Sequence, residues 1–174
     1  DHSVPGNAAV RVEGREHGAD LASAAGEAGR ERDLTVGGDF AFGDLAYRRQ
    51  DPFLSLGVAA VTTEKIMLGT AIAIAFPRSP MVVANACWDL QVASKGRFVL
   101  GLGPQIRPHN EKRFSVPWSP PVPRLREYVN ALRAIWRCWE TGEKLDFRGE
   151  HYTFTLMIPN FVPPSTGQAP VPVT

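Results

Sequence analysis

Large and very small side chains alternate along residues 66–76, in the stretch IMLGTAIAIAF. One parity carries Thr70 and the large residues, and the other carries mostly glycine and alanine, including Ala71 and Ala73. Side chains of a strand alternate between its faces, so the pattern predicts one β-strand with a bulky face and a nearly bare face. The bare face has two interpretations: close packing against another layer, or approach of something other than a side chain to the backbone.

A helix is predicted before this strand. Asp51 is a suitable N-cap, and Pro52 follows at the first helical position. Apolar residues then recur at helical spacing, which predicts that they form the buried face: Leu54, Val58 and Val61.

A second helix and a second strand are predicted after the strand at residues 66–76. Ser79 and Pro80 are typical of a helix start, and Gly96 is typical of a helix end. The apolar run at 97–103, RFVLGLG, then has the length of a buried strand. Strand, helix and strand in this order predict a βαβ unit with parallel strands.

The clearest helical pattern covers residues 123–142. Its apolar stripe consists of Leu125, Tyr128, Val129, Leu132, Ile135, Trp136 and Trp139. The residues predicted to face away are Arg126, Glu127, Asn130, Arg133 and Arg137. A hairpin turning near Arg148–Gly149 follows, with Leu145, Phe147, Tyr152 and Phe154 alternating along it. Residues 162–174 end in what resembles the opening of another strand.

The repeat of strand and helix predicts an α/β fold, namely a partial (β/α)8 TIM barrel with its first four strands, their helices and the start of the fifth strand. A full barrel needs about 250 residues, so the 174-residue chain is expected to be truncated. Residues 1–50 match the barrel pattern poorly, although they could hold its first strand, first helix and second strand. Residues 51–174 are predicted to form the N-terminal half of the barrel. A flavodoxin-like or Rossmann sheet is the alternative. Half a barrel exposes unpaired edges, which predicts self-association.

Composition narrows the choice of partners. A formal net charge of +1 gives no reason to expect nucleic acid or an anionic membrane. Cys87 and Cys138 stand singly in helical patterns, so they are predicted to be buried thiols. Neither an 18-residue apolar run nor a signal peptide is present, so the expected location is the cytoplasm.

Few motifs carry chemistry. GLGPQI at 101–106 fails as a dinucleotide fingerprint, because Ile106 stands where the third glycine belongs. The loop after it carries Gln105, Arg107, His109, Lys112 and Arg113, which is either a solvated surface or a site for a phosphate or carboxylate group. His109 and Glu111 are too few ligands for a metal, so no metal site is predicted. No hydrolase pattern is visible.

Residues 51–174 resemble the bacterial luciferase-like monooxygenase family, and within it the branch of coenzyme F420-dependent oxidoreductases. The stretches that carry the resemblance occur in order: DPF at 51–53, LGTAI at 68–72, the helix start SPMV at 79–82, GRFVLGLG at 96–103 and FRGEHY at 147–152. The resemblance implies a (β/α)8 barrel that binds a flavin or deazaflavin at the carboxyl ends of its strands.

The resemblance also implies a set of cofactor-binding residues. Carried onto this sequence, a non-prolyl cis peptide joins Ala71 and Ile72, and the small Ala71 and Ala73 let the ring approach the backbone. Gln105 and His109 fall where family members contact the cofactor. No catalytic acid or base is nominated, because strands 5 to 8 lie outside this sequence.

The function expected from the resemblance is hydride transfer between coenzyme F420 and a small organic substrate, in a chain that can form homo-oligomers. Two alternatives stay open. One is an FMN-dependent monooxygenase, and the other is a non-catalytic fragment of a disrupted reading frame.

Overall fold

The computed structural model describes residues 34–37, 40–43 and 51–174. These residues contain the helices α1 (Pro52–Thr62), α2 (Pro80–Ala93) and α3 (Pro121–Thr141). The strands are β1 (Leu34–Gly37), β2 (Phe40–Gly43), β3 (Met67–Thr70), β4 (Ala73–Ile74), β5 (Phe98–Val99), β6 (Leu102–Gly103), β7 (Phe147–Arg148) and β8 (Thr153–Phe154). A π-helix spans His109–Arg113 and a 3-10 helix spans Pro159–Phe161. The strand and helix predicted within residues 8–33 lie outside the described residues.

The strands follow one another in space as they do in the chain. β2, β3 and β5 are parallel neighbours, β4 pairs in parallel with β6, and β1 pairs antiparallel with β2. Leu100 forms a parallel bridge with Val173, and the Leu100 amide donates to the Pro172 carbonyl at 2.8 Å. The predicted βαβ unit is therefore confirmed. The sequential parallel order of β2, β3 and β5 is typical of a barrel, whereas the antiparallel pairing of β1 with β2 departs from it.

The prediction of one uninterrupted strand over residues 66–76 is wrong at its centre. β3 ends at Thr70 and β4 begins at Ala73. Leu68 and Ala73 are both fully buried although they differ in parity, while Ile72, on the parity of Leu68, is 37% exposed. Beyond the interruption both parities are buried, because Ile74 and Phe76, on the parity of Leu68, are 5% and 6% exposed while Ala73 and Ala75 are fully buried. Burial therefore does not distinguish the two predicted faces beyond Thr70.

Helix α1 forms where predicted, but with a different buried face. The Asp51 carboxylate accepts from the Phe53 amide at 2.9 Å, which confirms the N-cap. Leu54 and Val61 are each 73% exposed, and Val58 is also exposed. The residues that pack inward are Pro52, Leu56, Ala59 and Ala60. Two apolar stripes share this helix, and periodicity alone cannot tell which of them meets the sheet.

Helices α2 and α3 build the core against the sheet. The Ser79 hydroxyl accepts from the Met81 amide at 3.3 Å, and Gly96, with φ +85°, donates to the Gln91 carbonyl at 2.9 Å. Both predicted ends of α2 are therefore confirmed. The two helices meet through tryptophans: the rings of Trp88 and Trp139 pack edge to face with centroids 5.2 Å apart.

The predicted apolar stripe of α3 is buried or half-buried along its whole length. The predicted outward face is exposed at Arg126, Asn130, Arg133 and Arg137. Glu127 is the exception, because it is half-buried. Its carboxylate accepts from the backbone amides of Glu150, His151 and Tyr152, at 3.1, 2.8 and 2.7 Å. These amides belong to the turn of the predicted hairpin, whose strands β7 and β8 pair antiparallel with Phe147 opposite Phe154. The hairpin is thus confirmed and is bound to α3 by a carboxylate.

Arg97 connects several segments at the amino ends of β3 and β5. Its guanidinium donates to the carbonyls of Ala60, Thr63, Ile66 and Ser94 and to the Thr63 hydroxyl. Burial lowers the pKa of Arg97, and the nearby Glu64 charge opposes that effect. The side chain therefore ends α1 and fixes the start of both strands.

Three further features complete the fold. Cys87 and Cys138 are free and buried, as predicted, and burial raises the pKa of both thiols. The stretch after β6 is not simply a loop, because it contains the π-helix. Within the described part of the chain, none of the helices is long and apolar enough to cross a membrane.

Candidate functional site

Both central strands are interrupted at the same level. Between β3 and β4 the peptide bond joining Ala71 and Ile72 is cis, which confirms the position expected from the resemblance. Between β5 and β6 lie Leu100 and Gly101. Regular pairing resumes beyond the interruptions, where Ala73 pairs with Leu102.

The Thr70 hydroxyl fills the interruption. It accepts from the Gly101 amide at 2.9 Å and donates to the Gly101 carbonyl at 2.7 Å, so one side chain satisfies both main-chain groups. Glycine is required opposite it, because a Cβ at position 101 would collide with the Thr70 carbonyl oxygen. The sequence does not predict this role of Thr70, because its partner Gly101 lies 31 positions away in the chain.

Two residues of the interrupted segment lie at the surface. Ala71 is exposed and Ile72 partly so. The Ile72 side chain occupies the space that a Cβ on Gly103 would need, so a larger residue at 103 would displace it. Ala73 differs, because its methyl group lies in the hydrophobic core and only its backbone faces the neighbouring strand, where its amide donates to the Gly101 carbonyl at 2.8 Å. The bare surface is therefore centred on Ala71.

Gln105 and His109 lie on the connection that leaves β6, the strand paired with β4. Gln105 is half-buried with a left-handed backbone, φ +62°, and its side-chain carbonyl accepts from the Ile106 amide at 3.3 Å. His109 is exposed at the start of the π-helix. Three of the five predicted cofactor residues thus lie at the interruption between β3 and β4 or on β4, and the other two lie on the connection after β6, the neighbouring strand. Their contact with a cofactor stays a prediction.

The charges of this loop are partly neutralised. Arg107 forms an ion pair with Glu111 at 3.0 Å, so it is not a free cation in the predicted cluster. Lys112 and Arg113 are exposed, and among the described residues neither has a carboxylate within ion-pair distance. The loop keeps two cations that an anionic group could reach.

A second group of side chains lies just after β4. The Arg124 guanidinium stacks over the Phe76 ring, 4.5 Å from its centroid, and its Nε donates to the Tyr152 hydroxyl at 3.1 Å. Arg124 also donates to the Pro117 carbonyl at 3.2 Å. Burial raises the pKa of Tyr152, and the hydrogen bond and charge of Arg124 oppose the rise. Arg124 therefore joins α3, the hairpin and the exit of β4, a role that its position in the helical pattern did not reveal.

The candidate site thus combines the exposed Ala71 and Ile72 with the connection after β6, which carries the exposed cations Lys112 and Arg113. Within the described ranges, no three His, Cys, Asp or Glu side chains are grouped so that they could bind a metal ion.

Comparison with known proteins gives related sequences. The protein Rv1360 of Mycobacterium tuberculosis is 59% identical over 121 residues, which are 70% of this chain and 36% of that protein. A phthiodiolone/phenolphthiodiolone dimycocerosates ketoreductase of Mycobacterium sp. strain JLS is 34% identical over 123 residues, 69% of this chain and 31% of that protein. The chain therefore spans about a third of the length of these relatives.

Solved structures share the fold. An F420-dependent secondary alcohol dehydrogenase, in complex with an F420-acetone adduct, superposes with a TM-score of 0.61 at 21% identity, covering 79% of this chain and 43% of that one. The oxygenating constituent of 3,6-diketocamphane monooxygenase from Pseudomonas putida, in complex with FMN, superposes with a TM-score of 0.57 at 18% identity, covering 67% and 33%. These identities establish the fold alone.

The family assignment follows from the extent of the match. The family model of the luciferase-like monooxygenases matches residues 13–174. Together with the sequential parallel strands, the match makes the fold a TIM-barrel-like α/β fold. The chain belongs to the luciferase-like monooxygenase family.

Proposed function

We propose that this chain is the N-terminal half of a (β/α)8 barrel, comprising four strands with their helices and the start of a fifth, in an oxidoreductase that uses coenzyme F420. The observation that carries the proposal is the exposure of Ala71 and Ile72 at the strand interruption, with Gln105 and His109 on the connection that follows the neighbouring strand, in a chain of this family. Active sites of barrel enzymes lie at the carboxyl ends of the strands, where this loop begins.

Two relatives favour a carbonyl substrate. One is named a ketoreductase and another an F420-dependent secondary alcohol dehydrogenase. We therefore propose interconversion of a ketone and a secondary alcohol. When bound, the deazaflavin ring supplies the site that gives or accepts the hydride.

The residues of this chain bind and orient. Ala71 and Ile72 form the surface behind the ring, and the Thr70–Gly101 hydrogen bonds hold that surface in place. Gln105 offers an amide for a hydrogen bond to the cofactor, and Lys112 and Arg113 offer charge for an anionic tail. The Ile72 side chain lies over Gly103, and we expect it to be covered by the ring when the cofactor binds.

The test is a titration of the protein, expressed at the full length of its reading frame, with oxidised F420 and separately with FMN. Cofactor fluorescence reports binding, and oxidation of reduced F420 in the presence of simple ketones reports hydride transfer. Tight binding of F420 supports the proposal. Binding of FMN without F420 favours a monooxygenase, which the FMN-bound structural relative makes the second candidate. Binding of neither cofactor contradicts both and favours the non-catalytic fragment.

A further inference from the structure

Asn110 is fully buried, although the other polar residues between 107 and 113 are exposed. Its neighbours His109 and Glu111 both face solvent. Burying an amide without hydrogen bonds is costly, so a buried asparagine is expected to have a definite set of partners.

The partners of its NH2 group are the carbonyls of the turn that leaves β6. The NH2 group donates to the Pro104 carbonyl at 2.8 Å, and it lies 3.3 and 3.4 Å from the carbonyls of Gln105 and Ile106. The Asn110 Oδ1 has no hydrogen-bond partner among the described residues. The Asn110 backbone amide donates to Ile106 at 3.1 Å, and its carbonyl accepts from Val116 at 2.8 Å. One residue thus ties the start of the loop to its end.

The contacts explain the conformation of the predicted cofactor residues. Gln105 has φ +62°, a backbone conformation that residues other than glycine rarely adopt. Contacts from other residues must therefore stabilise the turn. Its support comes from the three carbonyls gathered around the Asn110 amide. His109 precedes Asn110, and its carbonyl accepts from the Phe114 amide at 3.0 Å, the wide hydrogen bond of the π-helix. Such widened turns recur at functional sites.

An apolar residue of similar size could fill the same space. It would, however, leave the Pro104 carbonyl without its 2.8 Å donor. Truncating one partner leaves the other group unsatisfied, and the turn would relax to satisfy it with water. Relaxation of that turn moves Gln105 directly and His109 through the shared helical turn.

We infer that Asn110 is a positioning residue for cofactor binding: it holds Gln105 and His109 in the geometry that receives the cofactor without touching it. This inference rests on the proposed function. It makes affinity for the cofactor, rather than global stability, the property that depends most on the Asn110 amide.

The experiment compares Asn110→Ala and Asn110→Asp with wild type in the full-length protein, using oxidised F420 as the probe, or FMN if wild type binds that cofactor. Asp keeps the shape and removes the donor. We expect both variants to weaken binding at least about tenfold, because a displaced contact typically loses that much. Asn130→Asp, at an exposed position on α3, is the matched control and should bind as wild type does.

Arg97→Lys distinguishes a role of Asn110 in cofactor binding from a role in stability alone. It removes hydrogen bonds at the amino ends of the strands, far along the strands from the loop that carries Asn110. This variant should lower the melting temperature at least as much as Asn110→Ala while leaving the Kd unchanged. If either Asn110 variant does not fold, Asn110→Leu, which fills the space without a donor, takes its place. An unchanged Kd in the folded Asn110 variants, or a Kd that merely follows the melting temperature across all variants, overturns the inference. Failure of wild type to bind either cofactor overturns the proposed function, and the inference with it.

Discussion

The attachment of the hairpin to α3 through Glu127 yields the most specific prediction. The three backbone amides of residues 150–152 donate to one carboxylate. A hydrogen bond to a charged group contributes about 1.5–3 kcal/mol to the free energy of unfolding. Three such bonds therefore contribute at most about three times that value. The site is half-buried, so water replaces part of the loss. We therefore expect Glu127→Ala to lower the free energy of unfolding by about 2–3 kcal/mol.

Glu127→Gln should cost less, about 1 kcal/mol, because one carbonyl oxygen remains to accept from two amides while the new NH2 group faces the third donor. Urea unfolding followed by tryptophan fluorescence gives the global value. Hydrogen exchange of the amides at 150–152 gives the local one, and these amides should exchange faster in both variants. Glu150→Gln is the charge-matched control, since it alters an exposed side chain in the same turn.

Gly149 provides an independent check on this geometry. A Cβ at position 149 would collide with the Glu127 carboxylate, so Gly149→Ala should be destabilising alone and much less so when combined with Glu127→Ala. The reasoning is refuted if Glu127→Ala changes stability by less than about 0.5 kcal/mol with unchanged exchange at 150–152, because such values are typical of uninvolved surface positions.

Three further predictions concern buried polar groups. Thr70→Val removes the two hydrogen bonds to Gly101 without changing shape, and it should cost about 1–3 kcal/mol in urea unfolding; a neutral result would show that the strand interruption does not need the hydroxyl. Arg97→Lys cannot reach the same set of carbonyls, so we expect a loss of about 2–3 kcal/mol in thermal or urea unfolding, and a change within the error of an exposed control, Arg133→Lys, would contradict it. Tyr128→Phe should stabilise by up to about 1 kcal/mol, because in the described part of the chain no partner lies within hydrogen-bond distance of the buried hydroxyl. Burial raises the pKa of Tyr128 above its usual value of 10.0, so above that pH the unfolded chain binds fewer protons than the native one and wild type loses stability as the pH rises. The advantage of the Phe variant in urea unfolding should therefore grow by up to about 1.4 kcal/mol per pH unit between about pH 10 and pH 11, and a constant difference would count against a protonated buried hydroxyl.

Local signals in the sequence predicted helix ends and the hairpin well. Asp51 and Ser79 act on amides two residues away, so their roles can be read from neighbouring residues. The face of α1 was misassigned because Leu54 and Leu56 are equally apolar, and only the position of the sheet decides that Leu56 is buried. The resemblance located the cis peptide at Ala71–Ile72, which no periodicity could have done.

The contacts that shape the site connect residues far apart in the chain. Thr70 and Gly101 are 31 positions apart, and Glu127 and the amide of His151 are 24 apart. Patterns within a window of one helix or strand carry no information on such pairs. Asn110 was overlooked for a different reason: among charged residues it looked like part of a solvated loop, whereas the π-helix places it inside.

The proposed function requires that a deazaflavin ring lie against the backbone at Ala71–Ile72. A crystal structure of the full-length protein with oxidised F420 tests it directly. We expect the ring in van der Waals contact with these two residues, at roughly 3.5–4 Å, with Gln105 within hydrogen-bond distance of the cofactor. A ring bound elsewhere, with Ala71 and Ile72 still open to solvent, would contradict the claim.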